Sequence, residues 1–123
     1  MKTTDSAINK VFSKVKPAFV IPVYKYENPT GKTDTEYIVI NSLPINADVM
    51  QKCRINVNYH VKDKTPGILN EEKLVSATAA IMAVIEVAEK GWIIEFESQE
   101  YHSEPQLNEH YSNIRLSVKI INT

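Results

Sequence analysis

Polar and apolar side chains alternate without a break through KCRINVNYHV, residues 52–61. In an extended chain Cys53, Ile55, Val57, Tyr59 and Val61 line one face. Lys52, Arg54, Asn56, Asn58 and His60 line the other, because successive strand side chains point to opposite sides. The apolar face calls for a core; what the polar face meets is the open question. The same two-residue period returns near the C-terminus. There Trp92, Ile94 and Phe96 alternate with Glu95 and Glu97, and Ile114, Leu116, Val118 and Ile120 alternate with Arg115, Ser117 and Lys119. This predicts strands over 92–101 and 112–121, joined by a polar loop of roughly 102–111. Two earlier extended segments are expected. Residues 19–26 are rich in β-branched and aromatic types but carry Pro22, which implies an edge position or a bulge, and 36–40 read EYIVI. Between them NPTGKTD is dense in turn formers, and NSLPINADVMQ leads into the strand at 52–61.

The helical period appears twice. Ile8, Val11, Phe12 and Val15 form one apolar stripe over 5–15, with Asp5 or Ser6 able to cap the first amides and Pro17 to stop the helix. After the loop KDKTPG, Asn70 can cap a longer helix whose first turn carries Glu71 and Glu72 against the positive end of the helix dipole. That helix is expected to run to about Lys90 and end at Gly91, which adopts a left-handed cap without a Cβ penalty. Leu74, Ala77, Ile81, Val84, Ile85 and Ala88 share one face, yet Val75, Ala79, Met82, Ala83 and Val87 occupy much of the rest. Between Leu74 and Ala88 only Ser76, Thr78 and Glu86 are polar. A helix apolar nearly all round is buried on more than one side. One side should pack on the sheet, and the other should meet the N-terminal helix, a neighbouring subunit, or both.

The expected fold class is α+β: one mixed, mostly antiparallel sheet of about five strands, with a short N-terminal helix and one long helix packed on it. The strand–helix–strand unit from 52 to 99 could form a crossover joining parallel strands, and the last two strands should pair antiparallel. Trp92, Phe96, Ile55, Val57, Leu116 and Ile81 are the expected core. One domain, 1–123, accounts for the whole pattern.

At 123 residues, 43% hydrophobic and 24% charged, the chain is long enough to bury a core without staples. Its one cysteine, Cys53, falls on an apolar strand face and is expected as a small buried hydrophobe. A formal charge of −1 argues against a dedicated, sequence-specific nucleic-acid binder. Lys10, Lys14 and Lys16 read as solvated helix lysines. MKTTDSAINKV lacks a hydrophobic signal core, and ATAAIMAVIEVA is too short to span a bilayer and contains Glu86. No membrane partner is expected, and the chain is expected to be cytoplasmic or assembled there.

Catalytic signatures are absent. Gly31, Gly67 and Gly91 are too widely spaced for a phosphate-cradling loop, and a single cysteine cannot build a thiolate metal cluster. The best candidate chemistry is His60 with His102 or His110 and Glu95, Glu97, Glu104 or Glu109, because two histidines and a carboxylate can hold a divalent metal. The spacing matches no ligand signature, so the expectation is solvated polar residues with no catalytic, cofactor or metal site. The polar sheet face is more informative. Lys52, Arg54, Arg115 and Lys119 are cationic and Glu95 and Glu97 anionic, so neighbouring strands could pair opposite charges across the sheet. The candidate protein interface is this face (Lys52, Arg54, Asn56, Asn58, His60, Glu95, Glu97, Arg115 and Lys119) together with the second helix face, Val75, Ala79, Met82, Ala83 and Val87.

The order of elements resembles the tail terminator (tail completion, minor tail) proteins of long-tailed bacteriophages and prophages. The matching features are a short N-terminal helix, then PVYKYENPTGKTDTEYIVINSLP, in which a VY piece leads through a polar, Pro-containing loop to EYIVINSL. The alternating strand CRINVNYHV, one long helix, and the pair WIIEFESQEY and NIRLSVKII follow. The resemblance implies a structural virion protein, not an enzyme, assembled in the bacterial host cytoplasm. Such proteins form a ring, usually of six subunits, on the head-proximal end of the tail tube. The implied partners are further copies of the chain, the tail tube protein and the head–tail connector protein. It carries over no catalytic, cofactor or metal residue. A small dimeric α+β ligand-binding or enzymatic domain using the polar face around His60, Glu95 and Glu97 is the alternative.

Overall fold

The computed structural model describes residues 4–26, 35–42 and 52–120. Two helices lie on one face of a five-stranded mixed sheet, the expected α+β arrangement. The helices are α1 (Thr4–Val15) and α2 (Glu71–Ile85); the strands are β1 (Val23–Lys25), β2 (Glu36–Ser42), β3 (Lys52–Lys62), β4 (Trp92–Glu104) and β5 (Glu109–Ile120). Strand order is β1-β2-β3-β5-β4, with β1 and β2 parallel and the other neighbours antiparallel. The crossover through α2 therefore does join parallel strands, β3 and β4, but β5 is inserted between them. Most of the expected turn segments NPTGKTD and NSLPINADVMQ lie outside the described residues.

The alternating strands deliver the core as the pattern demands. Ile55, Val57 and Tyr59 of β3 face Leu116, Ile114 and Ser112 of β5 in register, and Ile38 and Ile40 of β2 continue the layer. Ile8, Val11 and Val15 of α1 and Leu74, Ile81 and Ile85 of α2 close over it, and Cys53 is buried there. Ser112 sits inside this layer with its hydroxyl 2.7 Å from Thr78 Oγ1 and 3.0 Å from Gln99 Nε2, so the buried hydroxyl is satisfied. Tyr59 lies beside Glu36, which is paired with Lys73. Burial, and then the charge of and hydrogen bond to Glu36, push the Tyr59 hydroxyl above the ordinary tyrosine range.

Several expectations are corrected. The first strand is only Val23–Lys25; Lys16–Ala18 form a 3-10 turn before it, and Pro22 removes a backbone donor that a longer strand would use. The chain leaves β1 at Tyr26, whose φ is 78° and whose N–H reaches the Ile40 carbonyl. Helix α2 ends at Ile85, not near Lys90. Its C-terminal continuation is drawn across α1: Lys14 Nζ donates to the Val87 carbonyl at 2.8 Å, and Lys10 pairs with Glu89 at 2.8 Å and lies over the Trp92 ring. The hydrogen bond from Lys10 holds the Glu89 carboxyl below the usual carboxylate range. These two lysines thus bind the post-helix segment instead of merely meeting solvent. Gly91, with φ at 86°, is used one step later, as the third residue of the Glu89–Trp92 turn that launches β4.

The β4–β5 connection is also shorter than the predicted loop. Residues 102–104 and 109–111 are strand, and only a 3-10 turn at Pro105–Leu107 and a left-handed Asn108 intervene. Proline presets the turn and asparagine tolerates positive φ, so a glycine-free segment closes tightly. Finally, Phe96 is not core. It pairs with Leu116 on the helix side of the sheet but is 48% exposed. Helix α2 packs on β3 and β5, and β4 lies beyond it at the sheet edge.

Candidate functional site

The polar face of the sheet is organised in three bands set by strand register. At one end Arg54 Nε meets Glu97 Oε1 at 3.3 Å, passing over the small Ser117 of the intervening strand. The pair is accessible and contributes at most about 1 kcal/mol. Lys119 and Glu95 are exposed on the same end. In the middle, asparagines form a ladder across three strands. Asn56 donates to Asn41 at 3.0 Å, and Asn113 donates to Asn56 at 3.2 Å and to Asn58 at 2.6 Å. Asn56 is buried, and Asn58 and Arg115 are half-buried.

At the far end a row of rings crosses four strands. Tyr37, His60, Tyr111 and His102 are register partners of β2, β3, β5 and β4 in turn. Tyr37 and His60 stack at 4.5 Å with an interplanar angle of 6°, His60 and Tyr111 at 4.7 Å, and Tyr111 and His102 at 5.1 Å. Beside this row lies Glu109, a carboxylate only 1% exposed. Its Oε1 accepts from the Tyr37 hydroxyl at 2.5 Å and lies 3.2 Å from His60 Nδ1, while Lys62 Nζ stands 3.5 Å from its Oε2. Glu104 approaches His60 Nδ1 at 3.7 Å. A depression of about 240 Å³, lined by Tyr26, Val39, Asn41, Asn58, His60, Glu104 and Tyr111, opens onto this group.

A β-bulge decides who belongs to the cluster. The register of β4 against β5 shifts between Phe96 and Ser98. Before it, the even-numbered residues Trp92, Ile94 and Phe96 face the helices; after it, Ser98, Glu100, His102 and Glu104 face the polar side. Strict alternation would have sent His102 and Glu104 to the opposite face. Burial, and then the charge of Glu109, raise the Glu104 carboxyl above its ordinary value, and burial followed by the Glu104 charge raises the Tyr111 hydroxyl.

A carboxyl whose value is raised on folding is disfavoured in its ionised form. The cost is present above the raised value and vanishes as pH falls below the unfolded value of about 4.3. In chelator-treated protein, Glu104→Gln is therefore expected to raise the melting temperature at pH 7–8 and to lose that advantage by about pH 4. Melting curves across this window check it, and a variant less stable than the wild type at neutral pH would contradict it.

The remaining sequence candidates fall elsewhere. His110 does not join the cluster: its Nδ1 lies 2.6 Å from Asp63, whose other oxygen accepts the Gly67 amide, so it anchors the loop after β3. Glu95 and Glu97 belong to the Arg54 end. Lys52 opens β3. On the opposite side of the molecule, Val75, Ala79 and Ala83 are exposed on α2 and Val87 is exposed just after its end, whereas Met82 packs against the core. The second face of α2 is thus open among the described residues, and the helix is buried on one side only. Val87, 62% exposed, borders a second depression with Trp92, Ile93 and Ile94. No described helix is long and apolar enough to cross a membrane.

No family model matches the chain. No curated protein matches it either. Among solved structures, a chain of "Virion of native gene transfer agent (GTA) particle" superposes with a TM-score of 0.47 and 14% identity, over 89% of this chain and 83% of that one.

Proposed function

We propose that this chain is a structural virion protein of the tail-terminator kind. It would assemble as a ring on the head-proximal end of a tail tube, stop tube growth, and present a surface to the head–tail connector protein. Its role is architectural, not catalytic. The order of elements that resembles this family supports the reading, and one structural observation carries it. The two candidate interfaces lie on opposite sides of the molecule: the apolar surface of α2, with Val75, Ala79 and Ala83 and with Val87 just beyond the helix, and the charged end of the open sheet face, with Arg54, Glu95, Glu97 and Lys119. Closed rings are built from heterologous contacts, in which one surface of a subunit meets a different surface of the next. Small side chains at 79 and 83 permit close approach, and rim charges orient more than they bind.

The test is electron microscopy of the purified protein mixed with its tail tube protein. Capped tubes of limited length are expected; tubes that grow without limit and carry no cap reject the assignment. Ala83→Glu lies on an exposed helix position and should fold normally. It is expected to abolish capping, and capping that survives it removes α2 from the interface. A second reading has one observation in its favour: the depression beside His60, Glu104 and Glu109 suits a small dimeric ligand-binding domain. A constant dimer mass in sedimentation, with no response to tail tubes, would select it.

A further inference from the structure

We infer that His60, Glu104 and Glu109 form a binding site for one divalent transition-metal cation of the zinc class, on the polar face of the sheet. One ligand atom from each residue, a ring nitrogen of His60 and a carboxylate oxygen of each glutamate, lies within 4.8 Å of the others. His60 Nδ1 lies 3.2 Å from Glu109 Oε1 and 3.7 Å from Glu104 Oε1. Four-coordinate zinc, with bonds of about 2.0–2.1 Å, places neighbouring ligand atoms roughly 3.3–3.5 Å apart. Two edges of the triangle thus lie within a few tenths of an ångström of that spacing, and the third, between the two carboxylates, is no longer than 4.8 Å. One imidazole and two carboxylates match the donor preferences of zinc and its neighbours in the first transition row.

Independent features point the same way. The His60 ring is clamped between the Tyr37 and Tyr111 rings, so its orientation is set by the strands. The Tyr37 hydroxyl donates to Glu109 Oε1, the kind of outer hydrogen bond that orients a ligating carboxylate. Lys62 stands at the other oxygen, Oε2, and also donates to the Leu107 carbonyl at 2.7 Å, leaving Oε1 turned toward His60. The depression at His60 and Glu104 supplies an entry path and room for water at the remaining coordination position. A cation here would tie the turn end of the β4–β5 hairpin to β3, beyond anything the ring reading requires.

The experiment uses the full, tag-free chain after chelator treatment. Zinc is titrated by calorimetry and by competition with a chromophoric chelator, and cobalt(II) is added to read the ligand field. One zinc per chain is expected, with visible cobalt bands typical of a four- or five-coordinate site. Glu104→Gln and His60→Gln should each weaken zinc binding by at least about tenfold, and Tyr37→Phe by about tenfold through the lost outer hydrogen bond. His102→Asn and His110→Gln should change it by less than about twofold. Glu104 is only partly buried, so its variant separates ligand loss from unfolding, with circular dichroism as the check. Zinc that fails to bind the wild type, binding unaltered in Glu104→Gln, or binding abolished by His110→Gln would each overturn the site. Ring assembly is measured separately, so failure of the metal site and failure of the capping role are distinguishable.

Discussion

Leu116→Ala is expected to cost about 3–4 kcal/mol, while Phe96→Ala, its register partner on the same face of the sheet, costs less than about 1 kcal/mol. Both are large apolar side chains in alternating strands, and sequence alone assigns both to the core. Leu116 is fully buried beneath the helices; Phe96 is 48% exposed on the edge strand. Truncating Leu116 removes buried methyl groups and leaves a cavity among Ile55, Ile114 and Val118, which close packing cannot fill without strain. Truncating Phe96 mainly changes exposed surface. Urea denaturation of the two variants measures the difference, and equal midpoints would show that Phe96 is covered after all. If the ring forms, the order is informative in a second way: Phe96→Ala should leave the isolated subunit nearly unchanged and weaken assembly only if the edge of β4 is covered by a neighbour.

The second large effect is at Glu109. Glu109→Ala is expected to lower stability by about 2–4 kcal/mol, because it strips the acceptor from the Tyr37 hydroxyl and from His60, both buried. Glu109→Gln keeps an acceptor oxygen of the same shape and should cost less than half as much. A double-mutant cycle tests the network directly. Tyr37→Phe should cost about 1–2 kcal/mol in the wild type and clearly less once Glu109 is alanine, since the Glu109 acceptor of the hydroxyl is then already gone. Strict additivity of the two changes would mean that the short Tyr37–Glu109 contact contributes nothing of its own.

The cluster also explains why a charged group survives inside an otherwise small protein. Glu109 opens the strand whose apolar residues, Ile114, Leu116 and Val118, hold it in register, so its position is dictated by pairing with Lys62 and not by its own solvation. Tyr37, His60 and Lys62 compensate the burial from β2 and β3. Glu104, brought close by the bulge, adds a second carboxylate to a place that has already accommodated one. Two nearby carboxylates and an imidazole are unfavourable as neighbours unless a proton or a cation is shared among them.

Periodicity along the chain was enough to determine the α+β class, both helices, the three long strands and which side of β3 enters the core. Those features follow from local geometry: a strand repeats every two residues and a helix every 3.6, so burial writes its own period into the residue types. The cap at Asn70, whose side chain accepts the Lys73 amide, was legible for the same reason. Tertiary structure alone decided the rest. Lys10 and Lys14 hold the segment that follows the early end of α2, through the Glu89 carboxylate and through the Val87 carbonyl, the latter 73 residues from Lys14 along the chain. The insertion of β5 between β3 and β4 leaves Phe96 outside the helix layer, and no residue at 96 announces it. Above all, the bulge after Phe96 reverses the faces of the second half of β4 and carries Glu104 to His60 and Glu109. A one-residue change of register has no compositional signature, because it is fixed by which strand edges meet and not by what each strand contains.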